Sequence, residues 1–159
     1  MQLKPMYRVR FMYPEAWSIN LKGPDGTMSQ HFMFAEGQCA GRITGRFRGA
    51  NHPQRRTDGT FQPDFQGIIE TVDGATILFD IRGYGRTYPV GRRQVVSSIT
   101  HLSDDERYQW LNDVVCVATG EVRTPTGERE AMAAGKSTIN PIAELVLDVA
   151  ELIWEPIPE

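Results

Sequence analysis

The stretch DFQGIIETVDGATILFDIRGYGR, residues 64–86, decides the fold. Two alternating runs flank Asp73-Gly74. An Asp-Gly pair in that setting is the strongest short-range sign of a β-hairpin, because a type I′ turn needs positive φ at both central residues. A two-residue turn is expected to pair Val72 with Ala75, Glu70 with Ile77 and Gly67 with Asp80. One face then holds Asp64, Gln66, Ile68, Glu70, Ile77, Phe79 and Ile81. The other holds Phe65, Gly67, Ile69, Leu78, Asp80, Arg82 and Tyr84. Asp80 and Arg82 share a face, Gly67 leaves room over Asp80, and Asp64 lies on the opposite side.

Alternation continues on both sides of this hairpin. In residues 3–13, Tyr7, Val9, Phe11 and Tyr13 oppose Met6, Arg8, Arg10 and Met12. Pro14 is expected to end that strand, with a short one at Trp17, Ile19 and Leu21. After a turn at residues 23–26, Met28, Gln30, Phe32 and Phe34 oppose His31 and Met33. Residues 38–48 sort as one strand, with Cys39, Gly41, Ile43, Gly45 and Phe47 against Arg42, Thr44, Arg46 and Arg48. Two glycines on one face suit a sharply bending sheet. Residues 49–63 form a long polar connection, and loops of that length are often functional. A loop covers Gly83 to Gly91. Residues 94–102 are a strand placing Val95, Ser97, Ile99 and His101 together. Ser103 and Glu106 make a capping box for a short helix over about 104–111. Residues 113–123 return to strand, Pro125-Thr126-Gly127 is a turn, and 128–140 has no clear period. Residues 142–153 fit helical spacing slightly better than alternation, with Asn140-Pro141 as a start.

A chain of 159 residues is expected to form a single domain, 1–159, with a real core. Many short strands with frequent turns predict a mainly β protein, a barrel or sandwich. Net charge is −3, so no global field draws the chain to nucleic acid or membrane. Five arginines and no acid lie between Gly37 and Thr57, whereas acids alone follow Lys136. These blocks can face each other. Cys39 and Cys116 sit in apolar runs and read as buried free thiols. No run approaches the ~20 apolar residues of a membrane span, and a cytoplasmic protein is expected.

One ordered set of motifs goes further. It comprises Gly41-Arg42 to Gly45 ahead of a long loop, Pro63-Asp64-Phe65, Thr71 to Ile77, Arg82-Gly83, Tyr108 to Asn112, and Thr119 to Glu121. In this order they resemble a family of small bacterial β-barrel proteins catalogued as a domain of unknown function, over roughly residues 5–155. The resemblance implies a single antiparallel closed, calycin-like β-barrel of about eight or more strands with one short helix. Its last strand, about 144–154, would close against the first, so that segment is assigned as strand against its helical period. It also makes Asp64 the family's acidic position. Departures at 49–63 and 124–140 are where ligand specificity would differ.

No phosphate loop, dinucleotide fingerprint, nucleophile elbow or zinc-binding helix is present. His31, His52 and His101 lack ligand spacing, and neither metal nor cofactor is expected. The candidates are ionisable residues that a barrel could turn inward. Asp64 or Asp80 would be the base, the latter as a carboxylate raised by desolvation. Tyr84 would be the acid. Arg46, Arg48 and Arg82 would hold a developing oxyanion with a guanidinium fork. His101, Trp110 and Asn112 complete the candidate binding set, although Trp110 also suits a plug at the barrel end. These groups suffice for isomerisation, hydration or dehydration, or cyclisation of a hydrophobic oxygenated small molecule without a cofactor. A carrier or sensor of lipocalin type is the alternative, since a barrel of about eight strands holds one small ligand. A nucleic-acid-binding barrel is a third reading. Its Arg-rich 42–56 stretch carries a single aromatic, Phe47, thin for base stacking. Aliphatic residues on both faces of the 64–86 hairpin point to a homo-oligomer.

Overall fold

The computed structural model describes residues 1–87, 92–123 and 143–158. The expected loop over 83–91 falls outside them only at 88–91, since residues 83–87 continue a strand, registered against the next one from Gly83–Ser97 to Thr87–Arg93; the expected turn at 125–127 and the unreadable 128–140 lie outside. Ten strands follow in order: β1 (Gln2–Gly23), β2 (Gly26–Gly41), β3 (Gly45–Asn51), β4 (Gln54–Arg55), β5 (Phe61–Gln62), β6 (Asp64–Thr71), β7 (Thr76–Thr87), β8 (Arg92–Leu102), β9 (Val115–Arg123) and β10 (Glu144–Ile153). They make one antiparallel sheet in the order β1-β10-β9-β8-β7-β5-β4-β2-β3-β6, and β1 also pairs β2 while β7 also pairs β6. The ladder thus runs from β1 through β10, β9, β8, β7, β6, β3 and β2 and returns to β1. The protein is mainly β.

The inner side chains are those of alternation. Tyr7, Val9, Phe11 and Tyr13 of β1 are buried, as are Ser97, Ile99 and His101 of β8. Four rings fill the middle. Phe47 stacks on Phe79 with centroids 4.4 Å apart, and Phe65 meets Phe47, Phe79 and Phe11 at 5.2–5.6 Å. Cys39 and Cys116 are buried free thiols, as expected.

Several boundaries differ from the sequence reading, each for a physical reason. β1 passes straight through Pro14. Its pairing with β2 shifts register between Met12 and Glu15, and at such a bulge a missing N–H costs no ladder bond. Residues 38–48 are two strands. The chain reverses over Arg42–Thr44, with the Arg42 N–H donating to Met6 O at 2.7 Å, and Cys39 then pairs with Gly45. The face assignment survives this reversal: Cys39, Ile43 and Phe47 are buried. The polar connection 49–63 contains the small β4–β5 ribbon, which bridges β2 and β7. The expected helix reduces to a 3-10 turn, Gln109–Leu111. Asp105 takes the backbone N–H and the guanidinium of Arg107, and successive bonds close three-residue turns. β10 is a strand against its helical period and pairs with both β1 and β9.

The decisive correction is the register of β6–β7. A type I′ turn needs positive φ at Asp73 and Gly74, yet among the described non-glycine residues none has positive φ, and Gly74 has +89°. Tyr108 Oη at 2.9 Å and Arg107 at 3.2 Å hold the Asp73 carboxylate outside. The loop is therefore the three residues Val72-Asp73-Gly74, with Thr71 N–H bonded to Ala75 O. Gln66 pairs with Asp80, and Asp64 with Arg82. One residue of slip exchanges the faces of a strand. Asp64, Asp80, Arg82 and Tyr84 consequently share a face, and it is the outer one. Gly67 opposes Phe79, whose ring fills the space expected over Asp80.

Beyond the bulge, β1 and β2 run on as a hairpin arm, with β2 also paired to β3 and β4. Its outer face exposes Trp17, Ile19, Leu21, Phe32 and Phe34, and its inner face buries Ser29, His31 and Met33. The largest outer apolar group thus lies on this arm rather than on β6–β7, where Ile68 and Leu78 are interspersed with charges. Among the described residues no helix is long and apolar enough to cross a membrane.

Candidate functional site at the polar end of the interior

Most of the residues expected to carry chemistry are engaged on the outer surface. The Arg82 guanidinium bridges Asp64 at 2.7 Å and Asp80 at 2.9 Å, and Gln66 donates a further bond to Asp80 at 2.9 Å. Burial pushes the Asp80 carboxyl up, but the Arg82 and Gln66 hydrogen bonds outweigh it and hold it below the usual carboxylate range. That is the opposite of the upward shift expected of Asp80 as a desolvated general base. Arg46 bonds Glu36 at 2.6 Å, and Arg48 bonds Glu70 at 2.9 Å. Tyr84 is 51% exposed. Trp110 lies under the Arg42 guanidinium, 4.4 Å from its ring centre, while Arg42 also pairs with Glu151. Asn112 bonds both backbone groups of Ser103 and so ties the 3-10 turn to the end of β8. Exposed pairs of this kind contribute little. Asp64→Asn and Asp80→Asn should each move the urea-unfolding free energy by less than about 1 kcal/mol; a larger loss in either would mean the Arg82 bridge is structural.

Of that candidate set, His101 does face inward. It sits at one end of the interior, 4% exposed, with Nε2 2.8 Å from the Tyr7 hydroxyl and Nδ1 unpartnered. Burial pushes its imidazole down to about 4. Burial, and then the thiols of Cys39 and Cys116, raise the Tyr7 phenol.

The other end is richer. It lies where the β1–β2 arm, the β4–β5 ribbon and β7–β8 meet. Register places Ser29 beside Arg55, Arg55 beside Phe61, and Phe61 beside Gly85. Gly85 has no side chain, and a Cβ there would stand 3.2 Å from Arg93 Cδ and 3.4 Å from Phe61 Cβ. The Arg93 stem uses that room, and its guanidinium carbon lies 3.7 Å over the Phe61 ring, a cation–π contact. His31 stacks on the same ring, with centroids 5.3 Å apart and planes 10° off parallel. Its Nδ1 is 2.7 Å from Ser18 Oγ, while Nε2 is buried with no partner. Arg93 Nε and Ser97 Oγ are likewise buried and unpartnered.

Tyr13 borders this group. Asn51 Oδ1 accepts the Asp64 N–H, which fixes the amide orientation, and Asn51 Nδ2 donates to Tyr13 Oη at 2.7 Å. The Tyr13 oxygen therefore accepts, and its own proton is free to point at a ligand. Burial raises the Tyr13 phenol, against weaker lowering by Asn51 and Arg93. Burial first, then the charges of Arg93 and Arg55, lower the His31 imidazole. Burial, then Arg55, press Arg93 down to about 10, with Tyr13 opposing. At neutral pH the set is a neutral imidazole, a protonated phenol and a cationic guanidinium. Those are a base, an acid and an oxyanion holder. Among the described residues, no cluster of three or more His, Cys, Asp or Glu side chains is arranged to hold a metal ion. A depression of about 510 Å³ on the outer face of β8–β10 includes Gln94, Val96 and Thr119, and its Arg8 and Arg123 are paired with Asp148 and Glu121.

The sequence signals this set only in part. Arg93 has the parity of Val95, Ser97, Ile99 and His101, so the alternation of that strand, extended one step back, places it on the inner face. His31 gave no such sign, because the aromatic pair Phe32 and Phe34 made the opposite face look like the core.

A family model for a protein of unknown function, DUF3237, matches residues 1–134. The chain belongs to that family. No curated protein matches it. Solved structures share the DUF3237 chain's fold, three of them as follows. A β-barrel-like protein from Acinetobacter baumannii aligns with a TM-score of 0.71 at 17% identity over 94% of both chains. A protein of unknown function from Rhodopseudomonas palustris aligns at 0.70 and 15%, over 96% of this chain and 97% of its own. An enzyme from Penicillium herquei aligns at 0.59 and 20%, over 93% of both. At these identities the likeness concerns the fold, and function has to be argued from the site.

Proposed function

We propose that this DUF3237 chain is a cofactor-independent enzyme that performs acid/base chemistry on a hydrophobic, oxygenated small molecule inside a closed barrel. Isomerisation, hydration or dehydration, and cyclisation all fit. The observation that carries this reading is that His31 Nε2 and Arg93 Nε, both buried without a partner, belong to side chains that pack on one ring, Phe61, close to Tyr13, whose oxygen already accepts from Asn51. Buried polar atoms without partners are rare, because each forfeits its hydration. A ligand oxygen and a transferable proton would satisfy both.

The chemistry balances with these groups alone. With Nδ1–H donated to Ser18, His31 Nε2 carries the lone pair and takes a proton from carbon next to a carbonyl. The electron pair of that C–H bond forms the carbon–carbon π bond of the enolate, and the carbonyl π pair moves to the oxygen. Arg93 and the Tyr13 O–H stabilise the resulting enolate. The proton returns from His31 to the same or a neighbouring carbon, or the enolate carbon attacks within the substrate. The rings of Phe11 and Phe65, which contact Tyr13, supply an apolar floor. That the same fold serves an enzyme in Penicillium herquei supports its capacity for catalysis.

Hydrogen–deuterium exchange of 2-tetralone in D2O, followed by NMR, tests the reading. Wild-type protein should accelerate exchange at the α-carbons. His31→Gln and Tyr13→Phe should each reduce the acceleration about 100-fold or more, whereas Asp64→Asn and Asp80→Asn leave it unchanged. An acceleration that survives His31→Gln removes His31 as the base. Mass spectrometry of co-purifying molecules provides the complementary check. A ligand returned unaltered after long incubation makes the protein a carrier.

A further inference from the structure

We infer that the polar end of the interior is a binding site for an organic anion, a carboxylate or phenolate on an apolar body, whose negative charge is the missing partner of Arg93. This rests on the site identified above and narrows its ligand class.

Three cationic or potentially cationic side chains converge there, Arg55, Arg93 and His31, and among the described residues no carboxylate joins them. Arg56, next along the ribbon, has its own acid, Asp58, at 2.6 Å. Asp64 is taken by Arg82 on the outer face. Elsewhere Arg8, Arg10, Arg42, Arg46, Arg48, Arg82, Arg107 and Arg123 each have an acid within 4.0 Å, and Arg86, which has none among the described residues, is exposed to water. Arg93 departs from that pattern while being more buried than most of them. It rests on the Phe61 ring, and its Nε finds no acceptor. Buried charges are ordinarily paired, because removal from water costs more than an unpaired charge recovers. A guanidinium left in that state is prepaid for an incoming anion, and its planar fork matches a carboxylate. Burial, then the charge of Arg55, lower Arg93, and the attraction of a bound anion would offset both. Phe61 under the guanidinium and Val95, which flanks Gly85 on the side opposite Phe61, offer apolar surface next to that charge.

Isothermal titration with 2-naphthoate and 2-naphthamide isolates the charge, since the two are alike in shape. Wild-type protein should bind the naphthoate at least tenfold tighter at pH 7.5 and low salt. Arg93→Met should bring the ratio close to one. Arg55→Gln, a change on the more accessible ribbon, should reduce it several-fold, which keeps the test decisive if Arg93→Met fails to fold. Equal affinity for the two probes, no naphthoate binding at millimolar concentration, or a ratio that survives both substitutions overturns the inference. Failure here is separable from failure of the catalytic reading. A strong charge preference with no ketone exchange keeps the anion site and removes the enzyme; exchange with no charge preference does the reverse.

Discussion

Phe47→Ala should lower the unfolding free energy by about 4 kcal/mol, a large share of the roughly 5–15 kcal/mol that holds a domain folded. Phe47 is 0% exposed and stacks on Phe79 at 4.4 Å, with Phe11 and Phe65 on its other sides at 5.3 and 5.6 Å. Removing the ring loses its transfer free energy and leaves a cavity that three strands must partly collapse around. Those strands are paired on both sides, so collapse is limited and the cavity term stays large. Leu78→Ala is the control. Leu78 lies on the outer face and is half exposed, so its loss should cost less than about 1 kcal/mol. Urea unfolding followed by intrinsic fluorescence measures both. A Phe47→Ala cost no larger than that of Leu78→Ala would mean that the four rings do not form the packed centre.

The protein should lose stability steeply between pH 6.5 and 4, and His101 is the main reason. In the unfolded chain an imidazole titrates near 6.5. In the folded protein burial pushes His101 down to about 4. Between those values the unfolded chain binds a proton that the folded chain refuses, so lowering the pH favours unfolding. The stabilisation is complete above about 6.5 and disappears as the pH falls towards 4. At about 1.4 kcal/mol per unit, acidification from 6.5 to 5 costs about 2 kcal/mol. His31, also lowered by burial, acts in the same direction. His101→Gln keeps a partner for the Tyr7 hydroxyl and removes the titration. Its urea midpoint should fall less between pH 7 and 5 than that of the wild type. Parallel pH profiles for the two proteins would assign the acid sensitivity elsewhere.

Much of the fold was legible because β-structure repeats every two residues. Tyr7, Val9, Phe11 and Tyr13 could be grouped from spacing alone, as could Ser97, Ile99 and His101, and both groups are buried together. Cys39 and Cys116 were readable as core thiols from their apolar surroundings. The strand at Glu144–Ile153 was not readable from its period. The resemblance to the barrel family supplied it, and pairing with β1 and β9 bears it out. The candidate site was far less legible. Alternation puts Arg93 on the inner face of β8, but only the room left by Gly85 and the ring of Phe61 show how an arginine is accommodated there. His31 is followed by Phe32 and Phe34, aromatics that point outward, so hydrophobicity indicated the wrong face of the arm.

The opening hairpin marks the boundary between the two kinds of knowledge. From residues 64–86 alone come the two strands, the turn at Asp73-Gly74, and the grouping of Asp80 with Arg82 and Tyr84. These follow from local stereochemistry, which acts between neighbours in the chain. Which side of the sheet those residues face does not. Tyr108 and Arg107, more than thirty residues downstream, hold the Asp73 carboxylate and accompany a three-residue loop where two residues were expected. That single added residue moves Asp64 to the face of Asp80, and the packing of Phe65, Ile69 and Phe79 turns that face outward. Alternation distinguishes two faces but carries no label for inside. The label is assigned when strands remote in sequence bury one face against each other, and that assignment puts the carboxylates in solvent and His31, Tyr13 and Arg93 within.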